Sequence, residues 1–344
     1  MTQEVFGLVR WDWFKLRRRW MPWILLLVLL LFSQIQVWGQ YFNYKRIENQ
    51  LSGSQFGFSI GGQMYHLTCQ DIADGNIPPE LKNYPPAAAQ LAGFEANCER
   101  LIQARQDQLS RAYSDFTLPG ALTTSMSVAN GIGLVLIAVL TASAIGTEYG
   151  WGTLRFVLSR GIGRRRYLAS KLILMALAGL AGLIVAALVT MISATIAHAL
   201  AGAPPGGYTA SSTWGDAVAT LGKGWFALLP YIALPAVITV VTRSSAAGMA
   251  VALGYNFGES IIVGILGSAF DWFHTIADYT LNQNISAWMI TGQNGTSGFG
   301  PGFFGRTPPD HIHAFVVVLV YAVVLGGLAF WSFQRRDVGG ASGT

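Results

Sequence analysis

Charged residues are scarce in this sequence. Only 11% of its 344 residues are Asp, Glu, Lys or Arg, whereas hydrophobic residues account for 52%. A soluble globular domain carries about 25% charged residues, so the composition excludes that class. Several apolar runs exceed the roughly 20 residues that cross a bilayer as a helix. Because these runs are continuous rather than alternating, they predict an all-α polytopic membrane protein rather than a barrel.

The sequence also lacks the common signatures of catalysis. It contains no G-x-x-x-x-G-K-[ST] phosphate-binding loop, no H-E-x-x-H, and no Ser-His-Asp or Cys-His arrangement. His311 and His313 are two positions apart on an expected helix, so they point to different sides and are poor metal co-ligands. We therefore expect no catalytic residue, no metal and no cofactor in this chain.

Cysteine is limited to two residues, Cys69 and Cys98, which both fall in the segment 39–121. This segment is polar, mixed in charge and rich in Gly, Pro and Asn, and it predicts a small domain inserted between the first two spans. A domain of this size has little core of its own. We expect a Cys69–Cys98 disulfide if the domain lies outside the cytoplasm, and two free buried thiols are the alternative.

Hydropathy divides the rest of the chain into membrane spans and connections. Residues 1–19 are amphipathic and basic, as in helices that lie in the membrane interface. The aromatic and Gly-rich outer segment 271–311 has room for short re-entrant helices. The six predicted spans are 20–38, 122–145, 167–201, 224–241, 246–270 and 312–333. The other connections are 146–166, an outer loop at 202–223 and a tail at 334–344.

The distribution of charge predicts the orientation of these spans. Fourteen of the 22 basic residues but only four of the 17 acidic residues fall on the side that holds both termini. The net charge is therefore +10 on that side and −4 on the other. By the positive-inside rule, both termini and the segment 146–166 are cytoplasmic, and the inserted domain 39–121 is extracytoplasmic. Orientation in the membrane thus explains the overall charge of +5, with no need for a nucleic-acid partner.

The most concentrated charge lies between the second and third spans, in GTEYGWGTLRFVLSRGIGRRRYLASK (146–171). Six basic residues face a single acid, Glu148. Charge this dense at the ends of two apolar helices lies in water, where a cytoplasmic partner can meet it. The alternative is a plain loop whose charges only orient the protein.

This stretch resembles the permease subunits of ABC type-2 exporters. Those subunits carry E-x-x-x-G-T-L-R, a basic turn and then R-x-x-x-L-x-x-K between their second and third spans. The matching residues here are Glu148, Gly152, Thr153, Leu154, Arg155, Arg164, Leu168 and Lys171. The ending FQRRD (333–337) is also similar to the family's last-span terminus. The large insert 39–121 departs from the short loop of many members.

The resemblance implies a dimer of permeases, each copy resting on a separate cytoplasmic ATPase that holds the ATP and Mg²⁺. The segment 146–166 would be the coupling element, and residues 1–19 the elbow helix. The coupling residues implied are Glu148, Gly152, Thr153, Arg155, Arg160, Arg164 and Lys171. We expect Glu148 at the start of a short coupling helix, where a carboxylate suits the helix dipole.

One acid, Glu259, lies deep in a predicted span. An intramembrane acid is costly and is by default a functional hypothesis, so Asn256 and Glu259 are candidates for the translocation path. The alternative is a hydrogen-bonded structural acid. A further hypothesis, an intramembrane enzyme using Glu259 and His198, is disfavoured because no paired nucleophile or metal set accompanies them.

We therefore expect a multi-pass permease in the plasma membrane of a bacterium, which exports an amphipathic drug, lipid or peptide and contacts membrane lipid. The alternative within the same architecture is a mechanotransmitter, which would act on an extracytoplasmic protein through the domain 39–121.

Overall fold

The structure is a computed structural model. It describes residues 2–51, 55–60, 63–68, 71, 76–79, 98, 100, 103–104, 106–159, 162–202, 213–270, 272–290 and 308–335. The helices are α1 (Thr2–Arg17), α2 (Trp20–Leu51), α3 (Gly120–Gly150), α4 (Thr153–Ser159), α5 (Arg164–Ala201), α6 (Trp214–Thr242), α7 (Ser245–Ala269), α8 (Phe273–Ala277), α9 (Leu281–Met289) and α10 (His311–Arg335). The strands are β1 (Gln55–Ile60) and β2 (Gln63–Thr68).

Six of these helices are long and apolar enough to cross a membrane: α2, α3, α5, α6, α7 and α10. They correspond one to one with the six predicted spans. Several are longer than the apolar runs, because the helices continue into the polar residues that flank these runs. The largest extensions are in α2, which continues to Leu51 rather than residue 38, and in α6, which begins at Trp214 rather than residue 224.

The chain folds into two compact units. The first comprises Met1–Ile35, Leu122–Thr190 and Trp214–Thr344. Its core is apolar and is formed mainly by α3, α5 and α6, with Leu228 and Tyr231 of α6 at its centre. A second cluster of the same unit gathers Ile145, Leu154 and Phe333.

Close helix contacts in this unit depend on glycine at two positions. A Cβ on Gly146 of α3 would lie 2.3 Å from the Cβ of Ser245, and one on Gly248 would lie 2.0 Å from Thr239 Oγ1. The turn between α6 and α7 therefore packs directly on the end of α3. This turn includes Arg243, which has a positive φ of 56°, and Ser244, whose hydroxyl accepts a hydrogen bond from the amide of Ala247.

The second unit comprises Gln36–Ala121 and Met191–Thr213. Aromatic side chains form its core: Tyr44, Tyr113 and Phe116 are buried with ring centroids 5.2–5.5 Å apart. The hydroxyl group of Tyr113 lies 2.8 Å from Nδ1 of His198 and donates to the carbonyl of Gly202. These contacts tie the helical stretch 106–116 to the end of α5.

The second unit adds one short hairpin to the predicted all-α membrane protein, whose six candidate spans are helical. Strands β1 and β2 pair in antiparallel register from Gln55–Thr68 to Ile60–Gln63. The sequence contains a signal for this hairpin, because Phe56, Phe58 and Ile60 occupy alternate positions and two glycines follow them.

The predicted disulfide belongs to the same unit. Cys98 is buried and disulfide-bonded. Cys69 lies outside the described residues, so its pairing with Cys98 stays a prediction.

Candidate functional site

A buried cluster of charged side chains joins three helices at the end of α3. Lys171 of α5 donates to Asp12 of α1 over 2.8 Å and to Glu148 of α3 over 2.6 Å. The three side chains are only 5–7% exposed. Tyr167, one turn before Lys171, donates its hydroxyl hydrogen to the other oxygen of Glu148. One cation thus holds two carboxylates where water does not screen them.

The sequence of α1 explains how Asp12 reaches this place. Leu16 lies one turn after Asp12 on the same face of α1, and it is buried in the apolar core of the first unit. Beyond the end of α1, the guanidinium group of Arg19 donates to Thr147 Oγ1 over 3.0 Å and stacks on the Trp151 ring. Asp12 and Arg19 therefore fasten the N-terminal helix to the end of α3.

The start of α5 also holds the end of α10. Arg164 donates to the backbone carbonyl of Gln334 over 3.0 Å, and Arg165 donates to the side-chain oxygen of the same residue over 2.9 Å. The rings of Tyr167 and Phe333 stack at 5.7 Å. The cluster therefore connects α1, α3, α5 and α10 in one junction.

Helix α4 projects from this junction. Gly152 separates it from α3 and has a φ of +66°, a left-handed conformation that glycine adopts without strain. Leu154 is 2% exposed and packs in the cluster with Ile145 and Phe333, which anchors one face of α4. Trp151 and Phe156 are 70% and 74% exposed. An exposed aromatic side chain on the anchored helix and a second one just before Gly152 offer contact area for another molecule.

Several predicted coupling residues fall at this junction, and the position of Glu148 differs from the expected one. Glu148 lies near the end of α3 rather than at the start of a short helix, because α3 continues to Gly150 before Gly152 breaks it. Glu148 and Lys171 are buried and bond to each other, so they support α4 from within. Thr153 begins α4, and its hydroxyl points to the carbonyl of Glu148 at 3.5 Å. The Arg155 side chain and Arg160 lie outside the described residues.

Sequence reasoning missed the junction's other contributors: Asp12, Tyr167, Gln334, Trp151 and Phe156. One signal was available for the ion cluster. Glu148 is the single acid in a strongly basic segment, and Lys171 is the single lysine among five arginines. Nothing in the local sequence pointed to Asp12, which is 159 positions from Lys171.

A second polar cluster lies inside the helical bundle around Glu259. One carboxylate oxygen of Glu259 accepts from the backbone amides of Asn282 and Gln283, at 2.6 and 3.4 Å. These amides belong to the first turn of α9, whose N-cap residue Thr280 supplies no side-chain cap. Glu259 of α7 therefore caps α9 from a neighbouring helix, where its negative charge also suits the positive end of the helix dipole.

Two asparagines and a tyrosine complete this second cluster. Asn256 donates to the hydroxyl of Tyr231 over 2.9 Å, and that hydroxyl donates to the side-chain oxygen of Asn282 over 2.5 Å. The side-chain amide of Asn282 then donates to the backbone carbonyl of Asn256 over 3.0 Å. The network joins α6, α7 and α9, and nearly every residue of α9 is buried.

These contacts show where Asn256 and Glu259, the two residues predicted for the translocation path, lie in the structure. Asn256 and Glu259 do lie together, and both hold α9 in place. This is the contact pattern that the structural alternative predicted for Glu259. His198 has its own partner in Tyr113 of the second unit, so each residue of the hypothetical enzyme has a structural contact.

Comparison with known families accounts for this architecture. The profile of the family described as "ABC-2 family transporter protein" matches residues 8–338, which is nearly the whole chain and includes both clusters. No individual curated protein matches the sequence. With six helices able to span a membrane and a match over almost its full length, the chain belongs to the ABC-2 family of transporter proteins as a multi-pass membrane component.

Proposed function

We propose that this chain is the permease subunit of an ATP-driven exporter and works as a homodimer with two copies of a separate cytoplasmic ATPase. The amphipathic substrate, a drug, lipid or peptide, moves out of the cytoplasm of a bacterium across the plasma membrane. ATP and Mg²⁺ belong to the partner ATPase, because this chain has no phosphate-binding loop.

Helix α4 is the observation that carries the proposal. It is short, one face is anchored by Leu154, Phe156 on it is exposed, and Trp151 is exposed just before its start. Buried aromatic side chains dominate the energy of many protein interfaces, and a rigid support keeps the cost of docking low. Basic residues of the same segment, including Arg165, favour an acidic rim on the ATPase.

The buried ion cluster gives α4 a route to the membrane helices. Movement of α4 is transmitted to α3 through Gly152, which joins the two helices. The Glu148–Lys171 ion pair then transmits the movement from α3 to α5. Asp12 extends the same connection to α1. We infer that closure of the ATPase moves these elements together rather than one at a time.

Asn256 and Glu259 act at the other end of the path in this proposal. They hold α9, a buried helix in the predicted re-entrant segment between α7 and α10. In the proposed orientation this segment is on the outer side, where it controls the exit of the substrate. The apolar residues Phe257, Ile261 and Ile262 of α7 are exposed, and the second permease would cover them.

A transport assay tests the coupling role of α4. The chain is reconstituted with its ATPase in liposomes, and dye export is measured together with ATP hydrolysis. We expect Trp151→Ala and Phe156→Ala each to weaken docking by about 2 kcal/mol, or roughly thirtyfold, and to lower export per ATP. The matched control is Phe42→Ala, which removes an aromatic side chain of 65% exposure from the part of α2 that belongs to the second unit. Equal export per ATP in all three variants and the wild type would refute the role of α4.

Mechanotransmission is a second candidate, favoured by the compact second unit with its own aromatic core. In that case the ATPase is active, but no amphipathic solute moves across the liposome membrane. Capture of a specific extracytoplasmic protein by the second unit would then replace the export proposal.

A further inference from the structure

A cavity of about 350 Å³ lies in the first unit, on the side where α1 meets α2. Its size falls in the range of about 300–1,000 Å³ that is typical of ligand pockets. Nearly all of its wall is apolar and comes from α2, α3 and α5, with Leu228 of α6 at the base. We call it the α1 groove.

The three walls have matching lengths. The lining residues run from Pro22 to Leu29 on α2, from Gly133 to Leu140 on α3 and from Ala178 to Val185 on α5. Each stretch covers seven helical steps, or about 10 Å along the axis. One leaflet of the hydrocarbon core is about 15 Å deep, so the α1 groove extends over most of one leaflet, parallel to the chains of a lipid.

Small residues on α5 leave the space open. Ala178, Gly179, Ala181 and Gly182 line the α1 groove where larger side chains would fill it. A Cβ on Gly179 would lie 2.8 Å from Leu228, whereas one on Gly182 would lie 3.7 Å from Leu29, an ordinary contact. Gly182 is therefore a position on α5 at which the α1 groove can be filled with little disturbance.

The mouth of the α1 groove carries a positive charge and two aromatic rings. Arg17 is the charged residue of its lining, and its side chain is exposed. No residue of the described part of the chain pairs with the Arg17 guanidinium group by an ion pair or a hydrogen bond. Trp13 and Trp23 flank it, and the indole of Trp23 donates to the Arg17 carbonyl over 2.9 Å. Such rings prefer the level of the lipid headgroups.

We propose that the α1 groove binds one acyl chain of an anionic phospholipid and that Arg17 holds the lipid phosphate. The charge decides this choice, since an apolar slot with a single unpaired cation at its interfacial end complements a negatively charged amphiphile. Other basic residues of α1, such as Arg10 and Lys15, add attraction for anionic headgroups. The proposal does not depend on the partner ATPase, so it survives if the proposed function fails.

Native mass spectrometry of the full chain tests this proposal. The protein is released from micelles holding equal amounts of phosphatidylglycerol and phosphatidylcholine with identical acyl chains. We expect the wild type to retain one phosphatidylglycerol in preference to phosphatidylcholine. Arg17→Gln should lower that preference about tenfold, because it removes a charge-assisted hydrogen bond. The matched control Arg18→Gln removes a neighbouring charge that stacks on Phe14 and does not line the α1 groove.

A second pair of variants tests whether the apolar wall of the α1 groove binds the acyl chain. Gly182→Leu fills the α1 groove and should lower retention of both lipids. Gly327→Leu adds the same side chain to α10, at a position with no neighbouring atom within 4 Å, and should leave retention unchanged. Only variants that elute as the wild type does in gel filtration are compared.

Several outcomes would overturn the proposal. One is a wild type that retains no phospholipid, or that shows no headgroup preference. Another is an equal preference for phosphatidylglycerol in Arg17→Gln and Arg18→Gln. A photo-crosslinking residue at Leu26 that captures a second copy of the chain, or a bound molecule that is not a phospholipid, would assign the α1 groove to a subunit interface or to the exported substrate instead.

Discussion

Lys171 is the residue on which the ion cluster depends. It pairs with both Asp12 and Glu148, and removing it leaves two buried carboxylates without a cation. Removing one partner of a buried pair costs about 3–5 kcal/mol. We therefore expect Lys171→Met to lower the free energy of unfolding by about that amount, measured by thermal unfolding of the full chain in detergent.

The matched control for this prediction is Lys45→Met. Lys45 pairs with Glu48 one turn away, with about a third of each side chain exposed. Exposed pairs contribute about 0–1 kcal/mol. Equal losses for the two lysine variants would mean that the buried cluster does not hold the junction together.

Asp115 gives the second unit a pH dependence. Burial raises the pKa of its carboxyl group from 3.8 to about 6. The folded state therefore binds this proton more tightly than the unfolded state, and stability falls as the pH rises from about 4 to about 6. Asp115→Asn should remove this slope and stabilise the protein at pH 7 by roughly 1–2 kcal/mol, a figure already discounted for solvent screening.

Unfolding of the full chain between pH 4 and pH 7 measures this effect. The exposed Asp107 lies on the same helical stretch, so Asp107→Asn is the control for the loss of one negative charge. A slope that persists unchanged in Asp115→Asn would show that another group is responsible.

At the scale of elements, the contact between α3 and the α6–α7 turn leaves no room for a side chain. Gly146→Ala places a Cβ 2.3–2.7 Å from three atoms of Ser245. Overpacking of this kind costs about 1–3 kcal/mol. Gly150→Ala, four residues further along α3, meets no atom within 4 Å and should leave thermal stability equal or slightly higher. A stable Gly146→Ala protein would contradict this packing.

The capping of α9 by Glu259 makes a separate prediction. Glu259→Ala removes the carboxylate that accepts from the amides of Asn282 and Gln283. Loss of a cap costs about 0.5–2 kcal/mol, so hydrogen exchange at α9 should accelerate by about two- to thirtyfold. Ser260→Ala is the control, because the Ser260 hydroxyl bonds within its own helix to the carbonyl of Asn256. Unchanged exchange at α9 would show that Glu259 is not its cap.

The elements show what sequence can and cannot reveal. Continuous apolar runs predicted six spans because length and hydropathy are local properties. The ends of α2 and α6 were missed because their polar extensions are held by packing, as Tyr44 is by Tyr113 and Phe116. The hairpin of β1 and β2 had a recognisable alternation, and the predicted all-α fold did not include it.

The sequence indicated where the candidate site lies, but it did not indicate that Glu148 and Lys171 form buried contacts there. The basic segment 146–171 marked the position of α4 and its neighbours. That Glu148 and Lys171 turn inward depends on Asp12 and on Tyr167, which only the packing of α1 against α3 and α5 brings together. The function of Glu259 as a cap likewise depends on α9, which begins 22 residues later in the chain.

In the whole molecule, the two clusters serve one proposed activity, which is ATP-driven export. The family match covers residues 8–338, a range that includes both clusters. The ion cluster supports the proposed docking helix at one end of α3. The network of Tyr231, Asn256 and Asn282 holds α9 among α6 and α7.

The most direct test of the central claim is co-purification of the tagged full chain in mild detergent, after expression with its neighbouring genes. Mass spectrometry identifies what accompanies it, and an ATPase assay follows. We expect a soluble ATPase of about equal abundance that hydrolyses ATP and is largely lost in the Trp151→Ala, Phe156→Ala double variant. A chain that purifies alone, with no nucleotide-dependent activity, would contradict the proposal that α4 couples it to an ATPase.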